Sequence, residues 1–238
     1  MIGLRSRARR DDTRRRRHHE ADHRVVHLVA ARCLDYPTEE LVASLPLLAD
    51  ALAEQAGSPA GRELATVVQH LGSQPLEALQ RAYVDTFDLS RKHALYLSYW
   101  TDGDTRRRGE VLGRFKAAYR RSGFLVDTHG ELPDYLPMVL EFAACADPEA
   151  GTTLLQEYRA SLELLRIALQ ERQSPYAAAA VAVCATLPGE SPTDRAAVMA
   201  MVGMSGPQPA ESVGLEPYDP RLPPLQPVSS STPVEARS

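Results

Sequence analysis

Three histidines near the start of the chain are spaced so that they could bind a metal ion. His19, His23 and His27 lie four residues apart, so on a continuous helix their imidazoles would share one face and could hold a divalent cation beside Glu20 or Asp22. However, His19 and His23 fall where an arginine-rich segment meets the first predicted helix, and a frayed helix end organises ligands poorly. We therefore favour solvated or core-facing histidines and predict no metal site.

The chain lacks the residue patterns of the common enzyme classes. It contains no Gly-x-Ser-x-Gly elbow, no phosphate-binding glycine loop, no His-Glu-x-x-His and no paired Cys/His spacing. Cys33, Cys145 and Cys184 are far apart in alanine- or leucine-rich stretches, which is typical of small core residues in a reducing compartment. The sequence therefore predicts a protein that is not an enzyme and has no cofactor of its own.

Two aromatic residues in the middle of the chain share a helical face. Tyr83 and Phe87 are four residues apart, and this spacing fits core packing as well as a binding surface. Asp88 follows at the C-terminal end of the same predicted helix, where the helix dipole disfavours an acid. It either caps the next turn or faces a positively charged partner.

A tryptophan and an arginine cluster flank the next predicted turn. Trp100 is the single tryptophan, and beside a turn we expect it to be half-buried with its N–H on a polar partner. Arg106 and Arg108 fall in the first turn of the following helix, where cations oppose the dipole. We expect these arginines to pair with a neighbouring acid such as Glu110 or Asp102, or with a bound partner.

The most specific string is Glu131-Leu-Pro133-Asp134-Tyr135-Leu-Pro137. Two prolines four apart are compatible with a helix only if both lie in its first turn, so the string predicts a rigid helix start. Glu131 and Asp134 would bracket that start and satisfy its free N–H groups. An ordinary cap and a polar rim beside a hydrophobic groove both fit this pattern.

The elements that carry these residues are helices throughout, because apolar residues recur at helical spacing and no strand-like alternation is present. Pro37 ends the first helix and Thr38 caps the second. Asp147 and Pro148 open one long helix that continues to Leu169. The sequence predicts an all-α fold, a single helical-bundle domain of about nine or ten helices.

Both ends of the chain differ from this body in composition. Residues 1–24 hold nine arginines and four acids, whereas the rest carries the net negative charge. We expect a disordered Arg-rich N-terminal tail (1–22), an all-helical domain (23–204) and a disordered Pro-rich C-terminal tail (205–238). The arginines suggest a nucleic-acid-binding helical protein as the alternative function, but no aromatic residues interleave with them to stack on bases.

The apolar residues of the chain argue against export and membrane insertion. The apolar stretch after the arginines is short and interrupted by His27 and Arg32, unlike a twin-arginine signal. No segment approaches the roughly 18 uninterrupted apolar residues of a membrane span. We therefore expect a soluble, cytoplasmic protein without nucleic-acid binding or stable membrane insertion.

The order of these motifs resembles the delta subunit of respiratory nitrate reductase, within the wider family of molybdoenzyme assembly chaperones. That family has a Glu-x-Pro-Asp-His string, which is matched at Glu131, Pro133 and Asp134, while Tyr135 replaces the histidine. Further similarity lies at Leu34-Asp-Tyr36-Pro37, at Tyr83 and Phe87-Asp88, and at Arg106, Arg108 and Gly109, within residues 25–190.

The resemblance implies a chaperone for the catalytic (alpha) subunit of respiratory nitrate reductase. Such a protein binds the N-terminal peptide of that subunit and assists molybdenum cofactor insertion before membrane docking. The residues expected to bind the peptide are Tyr83, Phe87, Asp88, Trp100, Arg106, Arg108, Glu131, Pro133, Asp134 and Tyr135.

Overall fold

The computed structural model describes residues 23–102, 106–124, 126–128 and 130–201, and of residues 101, 102, 106 and 107 it describes the backbone alone. Both predicted tails lie outside these ranges. Within them the chain forms α-helices and no β-strand, so the all-α prediction is confirmed. The eleven helices are α1 (23–34), α2 (Glu39–Ala53), α3 (Pro59–Gly72), α4 (Leu76–Tyr83), α5 (Leu97–Asp102), α6 (Arg106–Arg121), α7 (Leu136–Glu141), α8 (Pro148–Glu157), α9 (Arg159–Glu171), α10 (Ala177–Cys184) and α11 (Arg195–Met201). Two π-helical segments continue α4 and α7, at Val84–Asp88 and Phe142–Ala146.

The helix starts follow from local side-chain chemistry. Thr38, Ser58 and Asp147 each precede a helix and accept a hydrogen bond from the backbone N–H three residues further on. These caps satisfy donors that have no partner inside the helix. Pro59 and Pro148 occupy the first turns of α3 and α8, where a missing N–H costs nothing. The expected cap at Thr38 is thus present.

One main apolar core joins most of these helices, and a second, smaller cluster joins α9 to α11. α3 contributes a buried face of small and branched apolar residues and packs between α2 and α10, while α9 packs on α5, α10 and α11. Residues buried along α3 recur every three or four positions, as an amphipathic helix requires. No helix in the described ranges has both the length and the apolar character needed to cross a bilayer.

The long helix predicted from Pro148 to Leu169 is two helices. It breaks at Tyr158, whose φ of −101° and ψ of 23° are not α-helical. The apolar spacing runs through the break, so the cause is tertiary. The Tyr158 ring packs on Phe115 at 5.0 Å between centroids, and Arg159 donates to the carbonyl oxygens of Pro188 and Gly189.

Two further expectations are wrong: that both prolines of the string lie in the first turn of a helix, and that all three cysteines are buried in the core. Only Pro137 lies in the first turn of α7; Pro133 precedes the helix, and its carbonyl oxygen accepts the Tyr119 hydroxyl at 2.6 Å. Cys33 and Cys184 are buried as expected, but Cys145 is exposed. A π-helical turn bonds residue i to i+5, so it shifts the side chains that follow relative to an α-helix.

α8 approaches the π-helical segment very closely at Gly151. A Cβ atom added there would lie 2.4 Å from both Cα and Cβ of Ala143, and 2.9 Å from its backbone nitrogen. Because backbone atoms cannot swing aside, this contact requires glycine. Gly113 in α6 offers the opposite case, since nothing lies within 4 Å of its Cβ position.

We therefore expect Gly151→Ala to lower the free energy of unfolding by about 3 kcal/mol, as overpacked cores do. Gly113→Ala is the matched control and should raise stability by up to about 1 kcal/mol, since alanine loses less backbone entropy in a helix. Urea unfolding followed by circular dichroism measures both. Equal stability of the two variants would contradict the close α8 contact.

Candidate functional site

A short backbone bridge brings the two middle motifs together. The N–H of Leu97 donates to the Asp134 carbonyl oxygen at 3.0 Å, and the N–H of Leu136 donates to the Leu95 carbonyl oxygen at 2.7 Å. These bonds form an isolated antiparallel bridge between Tyr96 and Tyr135. The starts of α5 and α7 therefore lie side by side, although they are far apart in sequence.

The Asp134 carboxylate caps α5 and not its own helix. It is fully buried, and its Oδ2 accepts the Ser98 N–H at 3.0 Å and the Ser98 hydroxyl at 2.6 Å. A negative charge is favoured beside the free N–H groups of a helix start. α7 begins at Tyr135 without a side-chain cap. The expectation that Glu131 and Asp134 bracket the start of their own helix is therefore wrong.

Arg108 completes this arrangement from α6. Its Nη2 lies 4.0 Å from Asp134 Oδ2, and its guanidinium lies 5.8 and 5.9 Å from the ring centroids of Tyr96 and Tyr99. The arginine thus pairs within the protein, but with Asp134 and not with Glu110 as expected. Cation–π contacts of this kind suit a planar guanidinium. The side chain of Arg106 lies outside the described part of the chain.

A chain of hydroxyl groups connects α7 to the end of α1. The Tyr135 hydroxyl lies 3.1 Å from Asp35 Oδ1, to which it donates, and 3.0 Å from the Tyr83 hydroxyl. The Tyr83 hydroxyl in turn donates to the Leu34 carbonyl oxygen at 3.2 Å. Burial raises the pKa of both tyrosines, so these hydroxyls stay protonated and act as donors at all physiological pH values.

Tyr83 and Phe87 belong to the core. Both side chains are buried, with ring centroids 4.8 Å apart, and Phe87 also packs on Tyr176 at 5.0 Å. Asp88 is exposed at the end of the π-helical segment. The cap of the following turn is Ser90, whose hydroxyl oxygen accepts the Lys92 N–H.

Trp100 is half-buried against the core, as expected, and its indole N–H has an internal partner. Nε1 donates to the Ala94 carbonyl oxygen at 2.9 Å. The contact closes the turn between the 3₁₀ segment Arg91–His93 and α5. Trp100 therefore stabilises this turn through a contact inside the protein.

The best-defined cavity next to these motifs is an open groove of about 640 Å³. We call it the α1–α7 groove. Its volume is in the range of protein binding sites. Apolar side chains contribute most of its surface and carboxylates lie among them. The lining residues are Ala31, Arg32, Asp35, Phe124, Val126, Asp127, Thr128, Glu131, Tyr135, Pro137, Met138, Glu141, Phe142, Cys145 and Ala146.

The α1–α7 groove is acidic. Among the residues that the structure describes, four carboxylates line it, from Asp35, Asp127, Glu131 and Glu141, together with one guanidinium, that of Arg32. Arg32 is paired with Glu141 at 3.1 Å, and Glu131 Oε2 accepts the Tyr96 hydroxyl at 2.7 Å. An apolar cleft with negative charge suits an amphipathic ligand that carries positive charge.

A scan of protein-family models identifies residues 44–182 with the family described as nitrate reductase delta subunit. This match covers more than half of the chain. The chain belongs to the nitrate reductase delta subunit family. The resemblance drawn from the motif order is thereby confirmed.

Individual relatives agree with this membership in the delta subunit family. The chain is 44% identical over 163 residues to nitrate reductase-like protein NarX of Mycobacterium tuberculosis, a match that covers 68% of this chain and 24% of that protein. The chain thus spans about a quarter of the mycobacterial relative. It is 38% identical over 157 residues to the probable nitrate reductase molybdenum cofactor assembly chaperone NarJ of Bacillus subtilis, covering 66% of this chain and 84% of that one.

A solved structure is similar as well. The crystal structure of a putative redox enzyme maturation protein from Archaeoglobus fulgidus has a TM-score of 0.52 and 25% identity, over 68% of this chain and 91% of that chain. The Bacillus subtilis relative is named as a probable assembly chaperone for nitrate reductase.

The motif residues of the delta subunit family differ in where they lie. Tyr83, Phe87, Pro133 and Asp134 are buried, whereas Glu131 and Tyr135 reach the α1–α7 groove. Sequence reasoning missed the rest of the groove lining. One signal was available: Phe124 is a large apolar residue directly after a Ser-Gly turn, and it is 57% exposed in the structure.

The histidines do not form a metal site in the part of the chain that is described. No group of three or more potential ligands is present there, and His19 lies outside it. His27 is buried, and its Nε2 lies 2.8 Å from the Thr186 hydroxyl. Burial, with a smaller contribution from His23, lowers the pKa of His27 to about 4. The core-facing interpretation fits His27.

Asp134 and Glu131 should differ sharply in their effect on stability. Asp134→Ala removes two charge-assisted hydrogen bonds at a buried helix start and should lower the free energy of unfolding by about 3 kcal/mol. Glu131→Ala is the control at the exposed end of the same string and should cost less than about 1 kcal/mol. Chemical denaturation of both variants provides the measurement, and a similar loss in both would refute the capping role.

His27 should make the protein sensitive to mild acid. Its folded pKa lies below the ordinary value of 6.5, so its stabilising contribution is complete above pH 6.5 and is lost as pH falls toward 4. The loss amounts to about 3 kcal/mol at 1.36 kcal/mol per unit. We expect His27→Gln, which stays neutral, to flatten stability between pH 6.5 and 4.

Wild-type protein measured over the same pH range is the reference for this comparison. Burial also lowers the pKa of His93, so some acid sensitivity should remain in the His27 variant. Unfolding free energies measured at several pH values test whether His27 causes the acid sensitivity. Parallel profiles for wild type and His27→Gln would disprove the assignment.

Proposed function

We propose that this protein is an assembly chaperone for a respiratory nitrate reductase and works in the cytoplasm. In this proposal it binds the N-terminal peptide of the catalytic (alpha) subunit. It holds that subunit while molybdenum cofactor is inserted and before the enzyme docks at the membrane. Membership in the delta subunit family supports the partner.

The observation that carries the proposal is the α1–α7 groove. Its apolar lining and four carboxylates match an amphipathic peptide with basic residues, which would lay its apolar face between the helices. Met138 and Phe142 come from α7 and the π-helical segment, and Phe124 comes from the loop opposite. The Glu131 end of the motif string lies on the rim of the same groove.

The expected affinity is moderate. Burying about 300 Å² of apolar surface yields on the order of 7 kcal/mol at about 25 cal/mol per Å². Ordering the peptide takes back roughly 2–5 kcal/mol. A complex of this strength forms and also releases, as an assembly chaperone requires. The carboxylates mainly raise the association rate and select basic peptides.

The ten residues expected to bind the peptide have unequal roles in this proposal. Glu131 and Tyr135 contact the peptide directly, because both line the groove. The buried residues act as support: Asp134 with Arg108 fixes the start of α5, and Tyr83 with Phe87 fixes the segment behind Tyr135. The remaining members of the set are Asp88, Trp100, Arg106 and Pro133.

The test is a calorimetric titration of the full chain with a synthetic N-terminal peptide of the catalytic subunit. A scrambled peptide of the same composition controls for charge alone. We expect saturable binding of the native peptide, and a loss of roughly tenfold or more in affinity for Asp127→Lys/Glu131→Lys, since reversed charges repel a basic ligand. Phe124→Ser should weaken binding several-fold.

Two variants serve as matched controls. Asp50→Lys/Glu54→Lys makes the same change in net charge at exposed positions of α2 and its end, and Leu47→Ser removes another exposed apolar side chain. Both should bind the peptide like wild type. Equal binding of the scrambled peptide, or equal losses in the control variants, would contradict the groove as the peptide site.

A further inference from the structure

The start of α1 is anchored beside the α1–α7 groove. Arg24 Nε donates to the Ala144 carbonyl oxygen at 2.6 Å, and the next two residues, Cys145 and Ala146, line the groove. Further along α1, Arg32 pairs with Glu141 and Asp35 accepts the Tyr135 hydroxyl. α1 and α7 with its π-helical continuation therefore run antiparallel, and the chain before residue 23 begins at one end of the groove.

The segment that precedes α1 is opposite in charge to this groove. Residues 5–17 contain eight arginines and two acids, Asp11 and Asp12. The groove presents four carboxylates and one arginine, and that arginine is already paired with Glu141. Opposite charges at this density attract each other at moderate ionic strength.

The connection is long enough to bring these charges together. From Arg24 to Asp35 the helix rises about 17 Å at 1.5 Å per residue. Residues 14–22, if extended at about 3.3 Å per residue, span roughly 26 Å. A segment that turned back at residue 22 would carry Arg14–Arg17 roughly 16–26 Å from that residue, far enough to reach the Asp35 end of the groove.

We propose that the Arg-rich segment 5–17 occupies the α1–α7 groove of its own chain and competes there with a basic target peptide. The claim that the segment occupies the groove rests on the charges and the tether geometry alone. The claim that it competes with a target peptide rests on the proposed function. The segment acts as a weak intramolecular ligand that excludes non-target sequences until a peptide with a better apolar face displaces it.

The expected size of the competition follows from effective concentration. A short flexible tether keeps its ligand at a local concentration of about 1 mM, and exposed arginine–carboxylate pairs are individually weak. If the segment binds with a dissociation constant of about 0.1–1 mM, it raises the apparent dissociation constant of the peptide roughly two- to tenfold. Salt should remove this effect, since exposed charges are screened.

The occupied groove can be tested without any target peptide. Cys145 is exposed on the groove, whereas Cys33 and Cys184 are buried, so a nitroxide label on the full chain attaches at Cys145. We expect this label to broaden the amide resonances of residues 5–17 at low salt and to lose that effect at high salt. A label at Ala65→Cys in a Cys145→Ser background, on the α3 face, is the control and should leave them sharp.

A second experiment places the label on the segment, so that a label in the groove cannot displace the segment. With Ser6→Cys labelled in the Cys145→Ser background, the amides of Phe124, Val126 and Met138 should broaden at low salt. Asp127→Lys/Glu131→Lys should abolish this broadening, and Asp50→Lys/Glu54→Lys should preserve it. Sharp resonances with both the Cys145 and the Ser6→Cys label would overturn the proposal.

The competition has its own measurement. Replacing Arg14–Arg17 with serine in the full chain should tighten binding of the catalytic-subunit peptide two- to tenfold at low salt and leave it unchanged at high salt. Broadening without tighter binding would keep the occupied groove and refute competition. If the peptide binds neither chain while broadening is present, the proposed function fails and the intramolecular contact stands.

Discussion

The buried carboxylate of Asp134 is the interaction on which the site depends. It satisfies the backbone N–H and the hydroxyl of Ser98 at the start of α5, and Arg108 from α6 lies within 4.0 Å. A buried charge is costly unless donors surround it. Both hydrogen bonds fall on Oδ2, whereas Oδ1 is buried without a hydrogen-bond partner. The segments around α5, α6 and α7 must therefore keep their arrangement for Oδ2 to keep its donors, and the bridge between Tyr96 and Tyr135 aligns them in register.

This constraint explains why most of the motif residues face inward. The site has a buried support, which we call the frame, formed by Pro133, Asp134, Tyr83 and Phe87. Only the ends of the string reach the α1–α7 groove. Tyr135 stands where the wider family has a histidine. Its hydroxyl keeps its proton because burial raises its pKa, so it links α7 to Asp35 as a neutral donor and introduces no charge that depends on pH.

Local chemistry in the sequence predicted the helices, the caps at Thr38 and Asp147 and the half-buried Trp100, because each depends on residues within one turn. The wrong prediction for Cys145 comes from a π-helical turn, whereas other failures involve contacts between distant residues. Asp134 caps α5 through the N–H of Ser98, which lies 36 residues earlier in the sequence, and the helix break at Tyr158 follows from tertiary contacts. The groove was only partly predictable, because its walls come from α1, α7 and the loop near Phe124.

Separation of the frame from the groove has a consequence for binding. The charges that hold the frame, Asp134 and Arg108, are buried or nearly so, whereas Glu131 and Glu141 are exposed to solvent. Salt screens exposed charges strongly and buried ones weakly. Affinity at the groove can therefore change with ionic strength, or with the identity of the segment that occupies it, while the fold keeps its stability. An assembly chaperone needs this property, because it must release its partner without unfolding itself.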